Sequence, residues 1–105
     1  MVQTTGGSLR GSTAAGVTSF KGIPYGADTA GPARFLPPQP RAPWPGTLTA
    51  DAYGADAVQS RGPRPKAGAT TNNFDLPPGE DCLTLNVWTP ATDAAKRPVM
   101  VWLHG

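Results

Sequence analysis

Hydrophobic and polar positions alternate cleanly in one stretch of this chain and run together in another. In residues 83–89 (LTLNVWT), Leu83, Leu85 and Val87 fall on one side of an extended chain, and Thr84, Asn86 and Trp88 on the other. That period of two marks a strand with one covered face. Pro90 ends the run, since it cannot continue a ladder of hydrogen bonds. After a polar connection over residues 91–98, Val99-Met-Val-Trp-Leu103 is continuously apolar, which predicts a strand covered on both faces. The longest stretch free of Gly and Pro is residues 80–89, too short for an ordinary helix of about eleven residues without a breaker. The covering helices are therefore expected from polypeptide outside residues 1–105.

The first part of the chain is punctuated by glycine. Residues 2–4 and 8–10 are extended segments around Gly6-Gly7, a hairpin signal. Val17-Thr-Ser-Phe-Lys21 is a third, ending at Gly22 just ahead of Pro24. Together they predict a small antiparallel meander. Residues 31–46 (GPARFLPPQPRAPWPG) hold six prolines and cannot donate a regular ladder. Phe35, Leu36 and Trp44 lie between the prolines, so the segment reads as an ordered loop pinned by those side chains rather than as a displayed Pro-rich ligand. Residues 47–60 carry no clear period, and residues 61–79 are polar and loop-like.

Composition narrows the function classes. Thirteen Gly and thirteen Pro make up about a quarter of the 105 residues, near the edge of low complexity, but apolar and aromatic residues lie between them throughout. The net charge is +2, and the one basic group, Arg61, Arg64 and Lys66, lacks an aromatic platform or basic stripe. It reads as a solvated loop, and no nucleic-acid partner is expected. Cys82 is the sole cysteine, which excludes an internal disulfide and any CxxC metal or redox site. No apolar run approaches a membrane span and no leader-like segment opens the chain, so no membrane partner is expected and the cytoplasm is the expected location, with secretion open if a leader was removed.

Four segments then carry a resemblance. Glu80-Asp-Cys-Leu-Thr-Leu-Asn-Val87, followed by Pro90, resembles the E-D-C-L-x-L-N-V signature of the type B carboxylesterase/lipase family, which includes the cholinesterases and the bacterial para-nitrobenzyl esterases. Phe20-Lys-Gly-Ile-Pro-Tyr-Gly26 is similar to the family's F-x-G-I-P-Y segment. Arg34-Phe35 with its following prolines and Trp44 is similar to the R-F-x-x-P-x-P stretch. Val99–Gly105 resembles the strand leading into the family's H-G-G-G loop.

The resemblance implies an α/β-hydrolase fold, with residues 1–105 as the β-rich N-terminal segment of a single, incomplete domain. It also implies hydrolysis of small-molecule carboxylic esters by a serine nucleophile on a G-x-S-x-G turn, with a His base, an orienting acid, and backbone N–H groups holding the oxyanion. No metal or organic cofactor is implied. None of the serines stands in G-x-S-x-G, so nucleophile, base and acid are expected beyond Gly105, and the partner of this segment is the remainder of the same polypeptide.

His104 and Gly105 resemble the start of the oxyanion loop, and His104 is assigned a loop-shaping role rather than that of general base. Glu80 and Asp81 are sequence neighbours on an extended chain and point to opposite faces, so they do not form a catalytic carboxylate pair. The resemblance instead pairs Glu80 with Arg34, at an expected cost of about 3–5 kcal/mol if one partner of a buried pair is lost. Family members often bond the cysteine matching Cys82 to an earlier one; here that stretch has none, and Ala57 takes its place, leaving Cys82 a free, buried thiol. Asn72, Asn73 and Phe74 are candidates for an entrance loop. Two alternatives stay open on these residues: a cholinesterase-like adhesion protein without the nucleophile, because the signature supports the fold and not the reaction, and a stand-alone β-module.

Overall fold

Short extended runs separated by glycine and proline fold as six short strands and no α-helix among the described residues. The computed structural model describes residues 1–59 and 77–105. The strands are β1 (Val2–Thr4), β2 (Gly7–Arg10), β3 (Ser12–Ala14), β4 (Val17–Pro24), β5 (Thr47–Thr49) and β6 (Thr84–Thr89). One 3-10 turn, Gly31–Ala33, opens the Pro-rich loop.

The expected single meander is divided between two sheets. β1 and β2 pair antiparallel around the Thr5-Gly6 turn, with Val2 opposite Leu9. β5 then joins the other edge of β2 in parallel, Leu48 opposite Leu9. β4 belongs to the second sheet, ordered β3-β4-β6. β3 is a strand that the hydrophobic pattern does not announce, because its three residues are all exposed. It is held by a tight turn in which Ala15 and Gly16 both take positive φ, 49° and 75°, the geometry that matches strand twist in a two-residue hairpin. Hydroxyl pairs add to it, Thr13 Oγ1 lying 2.9 Å from Thr18 Oγ1.

The alternating stretch forms β6, antiparallel to β4, but its apolar side is not covered: Leu85 and Val87 are each 40% exposed. Between Phe20–Val87 and Ile23–Leu85 the register slips, so Lys21 and Gly22 stand opposite Asn86 alone. Such a bulge bends its strand and frees a backbone donor. Here the Gly22 N–H donates to Asn86 Oδ1 at 2.9 Å. The bend also lets the neighbouring Lys21 N–H leave the second sheet and donate to the Ala50 carbonyl at 2.9 Å. Ala50 in turn donates its own N–H to the Arg10 carbonyl at 2.7 Å. One residue thus laces the two sheets together.

The core lies at this seam and is small: Leu9, Phe20 and Ala50 are buried, with Val2, Ile23, Trp44 and Leu48 packed against them. Burying Leu9 and Phe20 stabilises by about 1.5–3 kcal/mol each. Trp44 reaches the seam from the Pro-rich loop, its indole N–H donating to the Ser8 carbonyl at 2.9 Å. Phe35 and Leu36 do not pin that loop as expected, being 95% and 62% exposed.

Val99–Leu103 is not a strand in this structure; its five apolar side chains are 75–91% exposed. The physical reason is the absence of a neighbour: no strand among the described residues offers this segment a ladder, and an extended run forms a strand only when its backbone groups are paired.

The bulge yields a quantitative expectation. Gly16 and Gly22 have similar φ, 75° and 66°, but a Cβ at Gly16 would meet open space while one at Gly22 would lie 2.6 Å from the Ala52 carbonyl oxygen. Gly16→Ala is expected to cost about 1–2 kcal/mol from the left-handed backbone alone, and Gly22→Ala clearly more, because a backbone oxygen must move. Chemical unfolding of the two variants measures the difference; equal losses would contradict this description of the bulge.

Candidate functional site

The signature segment sits where the loop after β4, the Pro-rich loop and the approach to β6 converge. The Tyr25 N–H donates to the Leu83 carbonyl at 2.9 Å, and Ala27 N–H donates to the Gln39 carbonyl at 2.9 Å. Thr29 Oγ1 donates to the Glu80 carbonyl oxygen at 2.8 Å and lies 3.4 Å from its carboxylate. Arg34 Nε lies 3.3 Å from Glu80 Oε1. The Arg34 guanidinium also stands over the Phe35 ring, 5.3 Å from its centroid. Phe35 itself holds φ at 61°, a left-handed conformation that a bulky side chain adopts only under constraint.

The neighbouring carboxylate is used as well. Asp81 pairs with Arg41, Nη1 to Oδ1 at 3.3 Å. The sequence reading missed Arg41, whose only signal was a positive charge at the far end of the Pro-rich loop. It also missed Asn86, whose role depends on the bulge opposite it. Arg34, Phe35, Thr29, Val58, Glu80 and Cys82 line a groove of about 260 Å³. Cys82 is a free thiol, half-buried rather than fully buried.

Side-chain exposure of 55% for Arg34 and 30% for Glu80 makes theirs a partly solvated pair. Its contribution falls accordingly to about 0–1 kcal/mol.

His104 and Gly105 lie at the exposed end of the chain, with His104 Nδ1 3.0 Å from the Gly105 carbonyl oxygen. No hydroxyl or carboxylate contacts that ring among the described residues. Asn72, Asn73 and Phe74 lie outside the described residues. Beyond the signature segment, the polar link before Val99 is ordered by Asp93. The Arg97 guanidinium and then the Ala95 N–H hold the Asp93 carboxyl down to about 2 from an ordinary 3.8. Among the described residues no group of His, Cys, Asp and Glu could hold a metal ion, and no helix is long and apolar enough to cross a membrane.

The described residues therefore bring together a scaffold of ion pairs and backbone bonds, without a nucleophile, base and acid in mutual reach. Arg34→Ala is expected to lower the unfolding free energy by less than about 1 kcal/mol, with the loss shrinking in 1 M salt. Urea unfolding at low and high salt measures it; a salt-independent loss of about 3–5 kcal/mol, the signature of a buried pair, would contradict this geometry.

The pattern of the carboxylesterase family matches residues 1–105 in full. The phenmedipham hydrolase of Pseudarthrobacter oxydans is 42% identical over 105 residues, covering 100% of this chain and 21% of that protein. The para-nitrobenzyl esterase of Bacillus subtilis is 40% identical over 106 residues, again covering 100% of this chain and 21% of its own length. Among solved structures, the carboxylesterase EST55 of Geobacillus stearothermophilus superposes with a TM-score of 0.78 at 41% identity, over 99% of this chain and 19% of that one. The chain thus spans about a fifth of the length of the curated relatives it matches, and the small β-rich architecture with two sheets corresponds to part of an α/β-hydrolase. It belongs to the carboxylesterase family.

Proposed function

We propose that these residues are the scaffold segment of a carboxylic ester hydrolase working through a serine acyl-enzyme. The observation that carries this reading is similarity over the whole of this chain, and a fifth of the relatives' length, at 40–42% identity to proteins named for ester hydrolysis. In this reading a serine attacks the ester carbonyl, a His takes its proton and returns it to the leaving alcohol, and water releases the acyl group. All three triad members, and the amides that hold the oxyanion, belong to polypeptide beyond Gly105. His104 and Gly105 open the oxyanion loop and shape it.

Arg34 and Glu80 serve this reading as a structural pair, and residues 72–74 as part of the approach to the active site. The substrate is a small carboxylic ester, the location cytoplasmic, and the enzyme of bacterial type, with Cys82 kept as a thiol in a reducing compartment. The remaining polypeptide supplies the covering layers that Val99–Leu103 lacks.

The complete polypeptide is expected to hydrolyse a chromogenic short-chain ester and to lose that activity on stoichiometric reaction with a serine-directed organophosphate. Absence of both hydrolysis and organophosphate labelling in a folded protein would overturn the reading in favour of a non-catalytic adhesion relative.

A further inference from the structure

We draw no further inference here: the strongest candidate, the apolar groove that Val2 and Leu9 of the first sheet line together with Phe20, Ile23 and Val87 of the second, is an unpartnered face, and nothing in the structure shows what covers it.

Discussion

Two three-stranded sheets depend on one residue for their connection. Ala50 accepts the Lys21 N–H from β4 and donates its own N–H to Arg10 at the end of β2, and it is 1% exposed. Around it pack the two other buried side chains, Leu9 from the first sheet and Phe20 from the second. A hydrogen bond excluded from water is costly to break, since the released groups find no solvent partner. The bulge at Lys21–Gly22 is what makes this lacing possible. It turns a backbone donor out of the β4–β6 ladder at the position where β5 has just ended, and Asn86 takes up the donor left behind.

From that seam the arrangement of the signature segment follows. β6 is fixed to β4 in register, so residues 80–83, immediately before it, are carried to the loop after β4 and to the Pro-rich loop. Two adjacent carboxylates engage two arginines of a single loop. The E-D-C-L-x-L-N-V run therefore has structural work for Glu80, Asp81 and Asn86 in turn, none of it chemical. A family can keep such a segment and vary its reaction, because these contacts set where strands lie and not what is bound there.

The sequence made some of this legible and left the rest hidden, for identifiable reasons. The alternation in residues 83–89 located β6, which pairs along its edge with β4, although Leu85 and Val87 on its apolar side are each 40% exposed here; β3 escaped because its exposed Ser-Thr-Ala has no apolar period to read. The division into two sheets was hidden because short strands of similar character give no sign of which neighbour they choose. Phe35 and Leu36 misled for a different reason: apolar character between prolines suggested burial, but no described side chain buries them, and they are 95% and 62% exposed. Val99–Leu103 illustrates the same limit from the other side. Its composition announces a covered strand, but strand formation requires partners, and among the described residues there are none. The Arg34–Glu80 contact came from family resemblance alone, and its solvation could be known only from the fold.

Native-state hydrogen exchange at Lys21 and Ala50 tests the seam most directly. If Ala50 laces the sheets, these two amides exchange together, at the same opening free energy as the β4–β6 ladder, and rank among the slowest in the chain. Exchange of Ala50 at the rate of an exposed loop amide, with β4 and β6 still protected, would mean that the sheets hold together by some other contact.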